Sequence, residues 1–401
     1  MGLAGAAALA APGRLRGEEG SAAGERRMRL RELGLAPGTM PTGRFNAITD
    51  VAGVEVGHAT LIRGEGRLVV GQGPVRTGVT AILPVGKAGE GQALAADFAL
   101  NGNGEMTGIG QVRRTGRLGA PILLTNTSSV GMVYDAALGW MVERRPGLMR
   151  SGGWPEPVVG ETWDDFLNDL EGRHVRAEHV RAAIEGASGG PVAEGCVGGG
   201  TGMICYGFKG GTGTSSRMTE GKGKSYTVGV LVQANHGGRP HLTVAGVPVG
   251  REVPELTPER GEVKSKSILI VVATDAPLLP SQLQRLAKRT AIGLGRTGAI
   301  STHSSGDLAL AFSTANRLPG RDFLSPVAPM RSRPASLVTE LEVLDDEAIT
   351  PLYQATIEAT EEAVLNALTT ATTMTGRDGN RVHALPLDRL VEVMRKYGRL
   401  K

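Results

Sequence analysis

The sequence predicts a four-layer α/β/β/α sandwich, and three observations carry that prediction. Strand-like patterns occur in both halves of the chain, one run beyond its middle is apolar at almost every position, and the long helical periodicities gather late. A run apolar on both alternating faces marks a strand covered on both sides, by a second sheet and by helices. With 401 residues the chain is long enough for one such body. Apolar residues make up 40% but aromatics only 3%, so Val, Ile, Leu and Ala must fill the core.

In chain order, residues 1–28 are rich in Ala, Gly, Arg and Glu without an apolar period. They predict a disordered leader, with Met28 a candidate start, ahead of one domain over residues 29–401. Residues 46–58 alternate as strand and turn, and residues 79–85 and 122–125 read as strands. Residues 162–170 are compatible with a helix. Residues 195–217 read as a strand broken by glycine turns, and 226–234 as a buried strand. Between Asn235 and Ser267 the charges of Arg251, Glu252, Glu255, Glu259, Arg260, Glu262, Lys264 and Lys266 predict a surface linker. Ser267-Ile-Leu-Ile-Val-Val-Ala-Thr then supplies the doubly covered strand. Residues 277–290 read as a helix with Leu279, Leu283, Leu286 and Ala287 on one face, and residues 308–313 as a strand. Residues 348–370 and 387–397 are helical by period.

Composition narrows the function. Forty-four Lys and Arg against 40 Asp and Glu leave a net charge of +4, and aromatics do not interleave with the basic residues as a single-strand groove requires. No nucleic-acid partner is expected. No window reaches the roughly 18 apolar residues of a membrane span, so no membrane partner is expected either. Cys196 and Cys205 stand in no metal or redox spacing and read as two buried thiols, which with the weak N-terminal apolar stretch predicts a cytoplasmic protein. Gly223-Lys224-Ser225 ends like a phosphate loop, but Met218 stands where the leading glycine is required. His58, His236 and His303 read as structural, and no metal or organic cofactor is expected.

Four segments place small polar side chains beside glycine, as an acyl-transfer site must to expose a hydroxyl and backbone donors. They are Asn101-Gly-Asn-Gly-Glu105, residues 195–217, Gln233-Ala-Asn-His236 and Ser304-Ser-Gly-Asp307. Ser128 lacks the G-x-S-x-G elbow of a serine hydrolase. Ser267 has a distinct context, at the junction of a charged linker and a core strand. If the bond before it broke, its own α-amine would serve as base without a histidine, since an α-amino group ordinarily titrates at about 7.7–8.0. On context alone, a serine that merely opens a strand is the commoner case.

At these residues the sequence resembles the DmpA family of L-aminopeptidase/D-esterases and β-peptidyl aminopeptidases, self-cleaving N-terminal-nucleophile hydrolases. The resemblance runs from about Leu30 to the C-terminus. It is carried by Pro41-Thr-Gly-Arg-Phe-Asn-Ala-Ile-Thr-Asp-Val51, Asn101-Gly-Asn-Gly-Glu-Met-Thr, Val158-Val-Gly-Glu-Thr-Trp, Lys209-Gly-Gly-Thr-Gly-Thr-Ser-Ser-Arg, Val230-Leu-Val-Gln-Ala-Asn, Ser267-Ile-Leu-Ile-Val-Val-Ala-Thr-Asp-Ala-Pro and Ser305-Gly-Asp.

The resemblance implies the sandwich of the DmpA/ornithine-acetyltransferase type. It also implies autocleavage of one hydrolase domain into an α chain ending at Lys266 and a β chain opening with the nucleophile Ser267. Ser305 and Asp307 would orient the nucleophile and its amine, Asn235 would supply the oxyanion-hole amide, and Glu161 would receive the substrate's amino group. Trp163, where close relatives carry tyrosine, would line the substrate site. The implied substrates are small peptides, amino-acid amides or esters, and the implied assembly is a tetramer of α/β pairs. An acyltransferase and an unprocessed, non-catalytic homologue are the alternatives. Lys266 departs from the family's usual glycine, and a residue with a β-carbon reaches a strained pre-cleavage backbone less easily.

Overall fold

The computed structural model describes residues 27–89, 91–147, 149–150, 155–220, 224–261, 263, 267–318 and 338–400. The expected leader, but for residues 27 and 28, and Lys266 at the expected cleavage point lie outside the described residues.

Two sheets stack face to face. The smaller has the order β1 (Glu55–Arg63), β2 (Val75–Leu83), β5 (Ile122–Asn126), β6 (Val158–Thr162). The larger runs β4 (Arg117–Leu118), β3 (Gln92–Gly102), β12 (Gly306–Leu318), β11 (Ser267–Thr274), β10 (Thr227–Asn235), β9 (Gly211–Met218). Two short ribbons, β7 (Ile204–Cys205) with β8 (Phe208–Lys209) and β13 (Met374–Thr375) with β14 (Arg381–Val382), complete the strands.

The alternation along β11 shows why the layers form. Ile268, Ile270 and Val272 point into one core with Leu283 and Leu286 of α5 (Pro280–Arg296) and Ala359, Ala363 and Val364 of α6 (Thr350–Thr369). Leu269, Val271 and Ala273 point the other way, against Val79, Ala81, Leu123 and Val159 of the smaller sheet. That sheet's outer face is covered by Val133 and Ala137 of α2 (Val130–Arg144) and Val180 and Ala183 of α3 (Ala177–Glu185). Helices, sheet, sheet and helices form the four expected layers. The shorter α1 (Ile109–Thr115) closes the β3–β4 edge, and α4 (Val249–Glu252) lies against the amphipathic α7 (Leu387–Lys396).

Four expectations are corrected. Helices do not gather late only, since α1, α2 and α3 precede Asn235; glycines at 131 and 139 and polar residues spread round α2 blur its period. Residues 163–170 form turns rather than a helix, because Asp164, Asn168 and Asp169 spend their side chains on local and neighbouring backbone and amide groups. The expected surface linker is buried over its first half, where Leu242, Val244, Val247, Val249 and Val253 join the core; only the charged stretch after Val253 is largely exposed. Cys205 is buried, whereas Cys196 is only half-buried, and both thiols are free.

Candidate active site

Strand register brings the expected residues together at one end of the larger sheet. Asn235, the last residue of β10, pairs with Ser267, the first of β11. The parallel neighbour β12 sets Asp307 beside Ile268, and β3 sets Asn101 beside Asp307 on its other side. Ser267 is half-buried, and its Oγ accepts a hydrogen bond from the Gly306 amide at 3.0 Å. Glycine is required at 306: a β-carbon there would stand 2.3 Å from the Asn103 carbonyl oxygen and 3.3 Å from Ser267 Oγ.

Ser305 Oγ donates to Asp307 Oδ1 at 2.6 Å, while the buried Asp307 Oδ2 has no partner among the described residues. Burial pushes the Asp307 carboxyl above the usual range, against the opposing hydrogen bonds of Ser305 and Ser301. The loop ahead of Asp307 is clamped from β3. Asn101 Nδ2 lies within hydrogen-bond distance of the carbonyls of Thr302, His303 and Ser305, at 2.9, 3.1 and 2.5 Å, and Asn103 Nδ2 donates to Ser304 O at 2.7 Å. These asparagines stand in a segment singled out by composition, but no spacing in the sequence reveals their partners some two hundred residues away.

Asn235 is fully buried and held at both ends of its amide. Its Oδ1 accepts from the Ile204 amide at 2.8 Å, and its Nδ2 donates to the Trp163 carbonyl at 3.0 Å. One Nδ2 hydrogen is left without an acceptor among the described residues, as a neutral oxyanion donor needs. Trp163 thus meets Asn235 through its backbone, and the residue is 42% exposed.

Glu161 enters from the smaller sheet, near the end of β6. Its Oε1 accepts from the Glu105 amide at 3.1 Å, Thr127 Oγ1 donates to its Oε2, and the residue is 8% exposed. Burial raises its pKa, and the Thr127 and Glu105 hydrogen bonds oppose the rise. The Asn101–Glu105 stretch spans the gap between the sheets, joining β6 where Thr107 N donates to Val159 O at 3.0 Å. A β-carbon at Gly104 would lie 3.0 Å from Glu161 Oε1 and 3.8 Å from Gly306 Cα, so only the bare backbone of Gly104 separates the carboxylate from the glycine that bonds Ser267.

The remaining candidates fall away from this corner's chemistry. Ser128 Oγ donates to the Leu170 carbonyl at 2.8 Å. His58 is half-buried and His236 buried, and desolvation holds both neutral, their pKa values lowered to about 4 and about 3. Among the described residues no cluster of three or more His, Cys, Asp or Glu could hold a metal ion, and no helix is long and apolar enough to cross a membrane.

Comparison with known proteins fits this geometry. Residues 46–382 match the profile of peptidase family S58. The chain belongs to that family. It is 48% identical over 385 residues to the β-peptidyl aminopeptidase BapA of Sphingosinicella microcystinivorans, covering 93% of each chain. The crystal structure of the PH0078 protein of Pyrococcus horikoshii superposes with a TM-score of 0.85 at 46% identity, covering 93% of this chain and 100% of that one. The L-aminopeptidase D-Ala-esterase/amidase of Ochrobactrum anthropi, a serine aminopeptidase described as a variant of the Ntn hydrolase fold, gives 0.84 at 45% identity over 93% of this chain and 99% of its own. This family member thus has the N-terminal-nucleophile hydrolase fold and the activity class of an aminopeptidase.

Proposed function

We propose that this aminopeptidase cleaves its own backbone between Lys266 and Ser267 and then releases N-terminal residues from short peptides, amides or esters through a Ser267 acyl-enzyme. What supports the reading is that Ser267, Asn235 with its spare amide hydrogen and Asp307 with its half-satisfied carboxyl stand at the same end of the larger sheet, with Glu161 brought near by the Glu105 amide.

Glu161 takes the substrate's ammonium group, which compensates a carboxylate that burial disfavours. Ser267 Oγ then bonds to the carbonyl carbon as its proton passes to the Ser267 α-amine. Asn235 and neighbouring backbone amides hold the oxyanion. The resulting ammonium protonates the leaving nitrogen as the C–N bond breaks, and water hydrolyses the ester with the amine again as base. Asp307 favours the cationic amine, and its unpartnered Oδ2 is a suitable acceptor for it. Ser305, bonded to Asp307, relays a proton.

The likeness to BapA makes β-amino N-terminal residues the first substrates to try, with L-amino-acid amides and D-alanine esters next. We further read the molecule as one hydrolase domain in two chains, assembling as a tetramer of α/β pairs. Free Cys196 and Cys205 suit a reducing cytoplasm.

Intact mass spectrometry of the purified protein beside its Ser267→Ala variant tests the reading. Two fragments meeting between Lys266 and Ser267 in the wild type alone are expected. A single full-length mass in both would remove the N-terminal nucleophile.

A further inference from the structure

Behind the oxyanion donor lies a charge the mechanism above does not use. Lys209, on β8, is completely buried, and no carboxylate pairs with it among the described residues. Its Nζ is ringed by three backbone carbonyls, Met203 at 2.7 Å, Gly210 at 2.9 Å and Gly200 at 3.4 Å. Three carbonyl acceptors suit the three N–H groups of an ammonium. Desolvation works against that charge, while the neighbouring Cys196 thiol, then Cys205 and Asp164, favour it. A buried cation without an ion partner is costly, and an apolar side chain of the same length would fill the space at lower cost.

The connection of Lys209 to the site is direct. The Met203 carbonyl that takes its shortest hydrogen bond belongs to the same peptide unit as the Ile204 amide. That amide donates to Asn235 Oδ1 at 2.8 Å. The chain therefore runs from ammonium to Met203 C=O, through the peptide to Ile204 N–H, on to Asn235 Oδ1, and out through Asn235 Nδ2. Each link withdraws electron density in the same direction, and hydrogen bonds in series polarise one another.

We propose that Lys209 is a positioning and polarising residue of the oxyanion hole, its buried ammonium acting through the Met203–Ile204 peptide to fix the Asn235 amide and strengthen its spare N–H. The inference rests on the reading of Asn235 as oxyanion donor. Lys209 itself touches neither substrate nor nucleophile. Its effect belongs to the transition state, when negative charge grows on the substrate oxygen, and not to ground-state binding.

The test is a double-mutant cycle of Lys209→Met and Asn235→Ala, with rates per mole of cleaved β chain counted by intact mass. Lys209→Gln is the second variant, because it can still bond two carbonyls but carries no charge. Asn235→Ala is expected to lower kcat roughly 10²–10³-fold. Both Lys209 variants should lower kcat roughly tenfold with KM within about twofold, and weaken inhibition by an aminoalkyl boronic acid, whose serine adduct is a tetrahedral anion, by the same factor. On the Asn235→Ala background the Lys209 effect should shrink to about twofold or less, since the relay's last link is gone.

An unchanged kcat in Asn235→Ala would sink the oxyanion reading itself. A large Asn235 effect with additive Lys209 losses, or wild-type rates in Lys209→Gln, would leave that reading standing and overturn the relay. Folded Lys209 variants that never cleave would place the residue in processing instead. Failure of both to fold would make it a structural cation. Either outcome overturns the proposal.

Discussion

The two ends of the six-stranded sheet use polar groups in opposite ways. At the end away from Ser267, register aligns Arg217 of β9 with Val228 and, across β10, Thr274. Arg217 is fully buried with its guanidinium spent: Nε on Glu358 Oε2 at 3.1 Å, Nη1 on Ser216 O at 2.8 Å, and Nη2 on Pro37 O at 2.8 Å and Glu362 Oε2 at 2.7 Å. Glu362 also accepts from Arg31 and Asn46. This network fastens residues 31–46 and α6 to the sheet. At the Ser267 end, Asp307 keeps an unpartnered oxygen and Asn235 a spare hydrogen. A completed network holds the fold, and the incomplete one is what the proposed mechanism draws on.

Breaking each network should separate stability from rate. Arg217→Met leaves Glu358 buried without a cation and Glu362 with Arg31 alone, and removing one member of a buried ion network costs about 3–5 kcal/mol. Urea unfolding should show a loss on that scale, while the folded fraction keeps wild-type kcat; a kcat loss matching the stability loss would mean the two ends are not independent. Asn235→Ala is the converse. One missing oxyanion donor costs about 2.7–4 kcal/mol of transition-state stabilisation, read in kcat. Its effect on the urea midpoint should be smaller than that of Arg217→Met, and the reverse order would make Asn235 a structural amide.

The contrast also separates what the sequence reveals from what it hides. The doubly covered strand at Ser267, the late helices and the layering are legible because burial imposes a period on side chains. The apolar positions within the charged linker are masked by their neighbours, and α2 by its glycines. Ser267, Asn235, Asp307 and Glu161 are proposed through a resemblance of motifs; register sets the first three at one end of the larger sheet, and the Glu105 amide ties Glu161 to its neighbourhood. Asn101, Asn103, Gly306 and Lys209 lie inside noted motifs, yet their roles depend on backbone groups far along the chain or, for Lys209, on carbonyls that only a fold can aim. The Arg217 network is invisible, since a charged residue in a strand normally predicts exposure.

Glu161 lies between the two kinds of region, because its oxygens are already engaged by Glu105 N and Thr127 while the proposed mechanism gives it a further cation to hold. Glu161→Gln keeps the size and one acceptor but loses the charge. A hydrogen bond to a charged group contributes about 1.5–3 kcal/mol, which corresponds to a rise in KM of roughly 10- to 100-fold with kcat changed much less. The pH dependence has a definite sign. Burial raises the Glu161 pKa, so protonation begins at a higher pH than for an ordinary glutamate, and each protonated molecule loses its hold on an ammonium. The inhibition constant of a product amino acid should therefore be flat above the raised pKa and increase as pH falls through it. In Glu161→Gln it should be weak and independent of pH over the same window. A wild-type inhibition constant that stays flat through the acid range would show that the ammonium is held elsewhere, and the amine-anchoring carboxylate would then have to be sought at the neighbouring Glu105.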